Sequence, residues 1–291
     1  MRIPFRLVDV FTDRPLSGNQ LCVVPEPVDL SARLMQAIAR EIGFSETTFV
    51  TEAGGDRYAM RIFTPTAELP FAGHPTLGTA FVMVSEGRVK SPATQVLSAG
   101  EFVVDVDLDG GFVRMEQLLP QFGPDEPGAH EVVSSVGLDA ADLDRDLPLQ
   151  VVSTGIAYLI VPATDADALG RVVPDQRRLP GLLEELGADG CYVFCPESQQ
   201  GKGDVRARMF APGVGVVEDA ATGSAAGPLG AYLAEHGVVR PGRMTIAQGV
   251  EMGRPSTLVV DVDRDERIDG WVIHVGGGVV RMGEGAFDFA V

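Results

Sequence analysis

Cysteine is scarce in this 291-residue chain: Cys22, Cys191 and Cys195 are the three present. The count is odd and the closest pair is spaced C-x-x-x-C, so neither a disulfide framework nor a zinc knuckle is expected. For all three, core packing in strands is the expectation. Histidine is scarce too. His74, His130, His236 and His274 are the four present, and none pairs at ligand spacing, which argues against a metal site. Basic residues are few: 23 Lys and Arg stand against 41 Asp and Glu, a net charge of −18. That balance argues against nucleic acid or an anionic membrane as partner, because both need a positive face. It leaves a small anionic substrate open, since a helix N-terminus binds a carboxylate locally against an unfavourable net field. No apolar run is long enough to span a bilayer, and "MRIPFRLVDVF" at the start lacks the apolar stretch of a signal peptide. A reducing cytoplasm is the expected compartment.

What the chain has is apolar material, 45% of its residues, and an internal repeat. "RIFTP" at 61–65 returns as "RMFAP" at 208–212. Each is followed by a glycine that opens an apolar segment of small residues: "GHPTLGTAFVM" from Gly73 and "GSAAGPLGAYLAEHG" from Gly223. Glu68 and Glu218 lie five residues before those glycines. Upstream, "GNQLCVVP" at 18–25 matches "GIAYLIVP" at 155–162, and "EIGFSETTFV" at 41–50 matches "ELGADGCYVF" at 185–194. Downstream, "GGFVRM" at 110–115 returns as "GGVVRM" at 277–282. Five matches in one order are hard to assign to chance.

Within each copy the order reads strand, helix, strands, buried helix, strands. Alternation marks strands at Phe102, Val104 and Val106, and again where Val113 and Met115 oppose Phe112, Arg114 and Glu116. A helix at about 31–42 carries Leu34, Met35, Ile38 and Ile42 on one face and ends at Gly43. Pro75 fits the first position of a helix, where its missing N–H costs nothing. The segment that follows is apolar nearly all round, hence buried. "QFGPDEPGAHE", 121–131, is rich in Pro, Gly and acid and reads as a linker. The expected organisation is an N-terminal half, 1–124, a C-terminal half, 125–275, and a closing strand, 276–291, that packs back on either half. The fold class is α+β: two pseudo-symmetric halves, each a curled, mostly antiparallel sheet around a central apolar helix. A site between such halves is the natural place for a small ligand.

Differences between the copies point to chemistry. Glu46 shares a strand face with Phe44, Thr48 and Val50, while the aligned position in the second copy is Gly190. Burial would raise a carboxyl pKa toward neutrality and suit a general base. The alternative is a partly exposed glutamate at a strand end. Asp219 aligns with Leu69, and Ser224 with His74. Helix capping by Asp219, Thr222 or Ser224 is the alternative reading there, as a hydrogen-bonded core histidine is for His74. Gly227 and Gly230 read as close helix packing. Arg61 and Arg208, present in both copies, read as structural.

The stretches "DVFTDRPLSGNQLCVV", "FSETTFV", "RIFTPTAELPFAGHPTLGTA" and "EDAATGSAAGPLGAYL" resemble the PhzF-like phenazine-biosynthesis family, within the diaminopimelate-epimerase fold. The resemblance covers essentially the whole chain. It departs at Ala220, where proline is usual after the aspartate, and that loosens the turn without removing a functional group. The resemblance implies an isomerase without metal or organic cofactor, of the trans-2,3-dihydro-3-hydroxyanthranilate isomerase kind, in secondary-metabolite biosynthesis. It implies a site in the cleft between halves, with both central helices aimed at it, and a homodimer. By the family's pattern the catalytic glutamate falls on Glu46, and a glycine and histidine on Gly73 and His74. An aspartate, glycine and serine fall on Asp219, Gly223 and Ser224.

Moving a proton on carbon needs a base and a sink for charge. Glu46 would be the base, with its conjugate acid returning the proton on the same face. N–H groups at Gly73 and Gly223, with the Ser224 hydroxyl, would hold the substrate carboxylate. His74 and Asp219 would bind the amine or hydroxyl groups. Two other readings stand beside this one. A two-base amino-acid racemase or epimerase of this fold carries two facing cysteines, but Ala72 and Thr222 occupy those places. A non-catalytic, protein-binding member of the family is the other, against which the full set of polar site residues speaks.

Overall fold

Period-two burial runs through most of the chain and builds strands. In the computed structural model, residues 1–27, 29–125, 129–196 and 204–289 are described. The chain forms two compact units, one of Met1–Glu116 with Gly276–Val291 and one of Gln117–Val275.

The first unit contains β1 (Arg2–Val10), β2 (Asn19–Val24), α1 (Ala32–Ile42), β3 (Glu46–Gly54), β4 (Arg57–Phe63) and β5 (Glu68–Leu69). It continues with α2 (Gly73–Ser85), β6 (Ala93–Leu97), β7 (Gly100–Asp107) and β8 (Phe112–Glu116). The second contains β9 (Gln121–Asp125), α3 (Ala129–Ser135), β10 (Gln150–Ser153), β11 (Ala157–Pro162), α4 (Ala166–Gly170) and α5 (Leu179–Leu186). It continues with β12 (Gly190–Pro196), β13 (Val205–Ala211), β14 (Val216–Asp219), α6 (Gly223–Glu235), β15 (Gly242–Gln248) and β16 (Ser256–Asp265). The last strand, β17 (Gly270–Asp288), starts in the second unit and enters the first at residue 276.

Strand pairing in the first unit is a closed circuit. It runs β1–β2 antiparallel, β2–β3 parallel, β3–β4 antiparallel, β4–β6 parallel, then β6–β7 and β7–β8 antiparallel. β8 pairs with β17, which returns antiparallel to β1. A closed sheet has no open edge. The helix inside it is α2, packed on β1, β2, β3, β6, β7 and β8. Its side chains from His74 to Ala80 are all buried, as an all-round apolar segment requires. Outside the barrel, α1 lays Met35, Ile38 and Ala39 on Val24, Phe49 and Phe63. Ser31 caps its start through Oγ, and Gly43 ends it in the left-handed conformation.

The second unit repeats the alternation. β10–β11 is antiparallel, β11–β12 parallel, β12–β13 antiparallel, β13–β15 parallel and β15–β16 antiparallel. Here α6 packs on β10, β11 and β16. The repeat in the letters is therefore a repeat of strand pairing. The outer layer differs: α3, α4 and α5 share one core with Leu159, Val193 and Phe210.

Two details differ from the sequence reading. Pro75 is the third residue of α2, not the first. All three opening positions lack an intrahelical acceptor for their N–H, so proline is tolerated at each. Gln121–Asp125, part of the expected linker, is β9, with Phe122 opposite Val152 on β10. Tertiary pairing there outweighs a turn-like composition. Residues 126–128 of that stretch lie outside the described residues.

Candidate active site

In the first unit the site grows from three neighbouring elements. β2 begins at Asn19, β3 at Glu46 and α2 at Gly73. The parallel register puts Leu21 beside Glu46. Glu46 is largely enclosed, its side chain 12% exposed, and Oε2 lies 3.3 Å from His74 Nε2. Among the described residues Oε2 takes no aligned hydrogen bond. Burial pushes the Glu46 carboxyl up to about 7, opposed in lesser degree by the adjacent Ser45 hydroxyl. The strand-end alternative therefore fails: this glutamate is enclosed.

A short relay orients the imidazole. Ser45 Oγ donates to Asn19 Oδ1 over 3.3 Å, and Asn19 Nδ2 lies 3.2 Å from His74 Nδ1. With that amide orientation Nδ1 accepts, and the neutral ring carries its hydrogen on Nε2, toward Glu46. His74 is the second residue of α2, whose cap, Ala72, offers no side-chain bond. The opening N–H groups of the helix, beginning with Gly73, are thus left without a capping side chain and suit an anion.

In the second unit Asp219 ends β14 and is buried. Its Oδ2 accepts from Thr222 Oγ1 at 2.6 Å. Thr222 is the N-cap residue of α6, and its side chain makes no capping bond there. The side-chain capping alternative is thereby removed for Thr222. Ser224, the second residue of α6, has Oγ 2.8 Å from the Tyr158 hydroxyl. Gln248, fully buried on β15, ties the turn together. Its Nε2 donates to the Asp219 carbonyl and to Thr222 Oγ1, and its Oε1 accepts from Thr222 N and from Tyr192 Oη. Ser256 Oγ donates to the Ala220 carbonyl, so the turn carrying Ala220 in place of proline is pinned by side chains. Burial, then the Asp219 charge, drive the Tyr192 phenol well above its ordinary range. Gln117 Nε2 donates to the Gly223 carbonyl, and Gln117 Oε1 accepts from Thr154 Oγ1.

So Glu46, Gly73 and His74 stand together in one unit, and Asp219, Gly223 and Ser224 in the other. Sequence reasoning missed the residues that hold them: Asn19, Ser45, Gln117, Tyr158 and Gln248. Asn19 and Tyr158 lie inside quoted repeat segments and were open to notice. Gln248 and Gln117 lie in no repeated motif and gave no signal. Arg61 and Arg208 are structural as expected. Each grips a repeated glutamate with two nitrogens, Arg61 on Glu68 and Arg208 on Glu218, and each lies over a phenylalanine ring, Phe63 or Phe210.

The model of a family described as phenazine biosynthesis-like proteins matches residues 8–285. The chain is 37% identical over 288 residues to a trans-2,3-dihydro-3-hydroxyanthranilate isomerase of Pseudomonas fluorescens, covering 96% of this chain and 97% of that one. The crystal structure of a Bacillus anthracis phenazine biosynthesis protein of the PhzF family superimposes with a TM-score of 0.89 at 30% identity, over 99% of this chain and all of that one, 100%. A probable proline racemase from Agrobacterium radiobacter K84 gives a TM-score of 0.67 at 15% identity, over 99% and 93% of the two chains. At that identity the likeness speaks for fold alone, and the fold is the α+β, diaminopimelate-epimerase-like one.

Proposed function

This chain belongs to the PhzC-PhzF family of phenazine biosynthesis-like proteins, is an isomerase acting on a small molecule, and from that premise we propose what it moves and with which groups. The substrate is a small, unsaturated, amino-acid-like carboxylate of the trans-2,3-dihydro-3-hydroxyanthranilate type, the compound in the name of its Pseudomonas fluorescens relative. Glu46, ionised, takes a proton from a ring carbon, and the electron pair of that C–H bond enters the conjugated system. The same carboxyl, now protonated, returns the proton to another carbon on that face. The resulting enol becomes the ketone. Gly73 and Gly223 N–H groups and the Ser224 hydroxyl hold the carboxylate. His74, through Nε2–H, and Asp219 hold the amine and hydroxyl groups.

One observation carries the reading: a carboxyl enclosed beside a histidine, its pKa lifted to about 7, is balanced between giving and taking a proton at neutral pH. Glu46→Gln keeps the shape and removes the base. The expected result is loss of turnover, by about a thousandfold or more, with the dissociation constant for 3-hydroxyanthranilic acid nearly unchanged. Retained turnover would remove Glu46 from the mechanism.

The racemase alternative loses ground on a separate observation. Cys22, Cys191 and Cys195 are all fully buried and none is in a disulfide, and burial pushes the Cys22 and Cys191 thiols up to about 12. Such thiols are poor bases. Thiol alkylation of the native enzyme should leave activity intact. A cytoplasmic homodimer belongs to the same proposal. Light scattering at twice the chain mass is its expected result, and a monomer would end that part of it.

A further inference from the structure

The two units place a polar head group at the same point of the repeat but take it from different strands. The repeated segments align Leu21 with Tyr158 and Glu46 with Gly190. The structure pairs them likewise: Leu21 lies beside Glu46 across β2–β3, and Tyr158 beside Gly190 across β11–β12, both parallel. In the first unit Leu21 lies against Gly78 of α2 and the carboxylate reaches the second residue of that helix. In the second unit Gly190 has no side chain because the Tyr158 ring covers it. A Cβ there would lie 3.0 Å from two atoms of that ring. The Tyr158 hydroxyl then meets the second residue of α6, Ser224, at 2.8 Å. Tyr158 is 5% exposed, so its hydroxyl is engaged inside the protein.

We propose that Tyr158 is a positioning residue that acts through Ser224. Its phenol O–H donates to Ser224 Oγ and turns the serine's own hydrogen toward the substrate carboxylate. The opposite direction would aim serine lone pairs at a negative charge. A tyrosine–serine–carboxylate chain also strengthens each of its hydrogen bonds. The inference rests on the reading of Ser224 as a holder of the carboxylate.

The test uses Tyr158→Phe, which keeps the ring over Gly190 and removes one oxygen. KM for trans-2,3-dihydro-3-hydroxyanthranilate and the calorimetric Kd for 3-hydroxyanthranilic acid should each rise about fivefold or more, a hydrogen bond's worth, with a smaller change in kcat. The pH profile should keep its Glu46 limb. Ser224→Ala should show the same rise, and the double variant no more than either alone. A purely structural tyrosine would instead lower Tm and kcat, leave KM alone and add to the serine loss. If Ser224→Ala raises KM and Tyr158→Phe does not, the positioning inference falls and the site reading survives. If Ser224→Ala changes neither KM nor Kd, both fall. Gly190→Ala, which keeps the hydroxyl but displaces the ring, provides a second variant should Phe at 158 fail to fold. It should raise KM in the same direction, and an unchanged KM would count against the inference.

Discussion

Glu46 gives two opposite pH trends, and both follow from one cause. Its folded pKa, about 7, stands above the ordinary value of 4.5 because burial penalises the charge. Between those values the folded state binds the proton and the unfolded chain does not. Stability from this group is therefore greatest below 4.5 and falls as pH rises through about 7. The base of the proposed mechanism, however, is the ionised form, so kcat/KM should climb over the range in which stability declines. Glu46→Gln isolates the first effect. Relative to wild type it should gain up to about 3 kcal/mol on going from acid to mildly alkaline pH, read from urea unfolding at both. A difference that stays flat with pH would mean the carboxyl titrates normally. The letters around Glu46 showed an apolar strand face but not whether the strand end was covered. Enclosure depends on His74 and Asn19, brought in from elements far along the chain.

The entrance to α6 shows how an element is shaped by one buried side chain. Gln117 lies against the first turn so closely that a Cβ on Gly227 would fall 1.7 Å from its Oε1. Gly227 is thus glycine for space, as Gly230 is against Val260. Gly227→Ala should force Gln117 off the Gly223 carbonyl, cost about 1–3 kcal/mol or more in thermal unfolding, and impair ligand binding through the displaced helix start. Unchanged stability and Kd would show that Gln117 is free to move aside. At this scale much was legible. Period-two alternation gave the strands, and all-round apolarity gave the buried helix. The repeated glycine and arginine motifs gave the order of elements. What stayed hidden was non-local: Gln121–Asp125 became a strand through pairing with β10, and Gln248 reached the α6 turn from a strand that follows it in the chain.

The whole molecule carries a net charge of −18, against which the proposed anionic substrate must approach. Short-range helix N–H groups act within hydrogen-bond distance and are little screened, whereas the long-range field is screened by salt. Raising ionic strength from about 10 to about 150 mM should therefore increase kcat/KM, by about twofold. A decrease would mean that local positive potential dominates the approach. No described helix is long and apolar enough to cross a membrane.

The enclosure of α2 has a consequence for motion. A rod wrapped by hydrogen-bonded strands cannot fray from its flank, so its amides reach solvent only when the surrounding staves part. Deuterium labelling should find the middle of α2 among the last segments to exchange. The imidazole proposed to meet the ligand would then be mounted on the slowest-breathing piece of its unit.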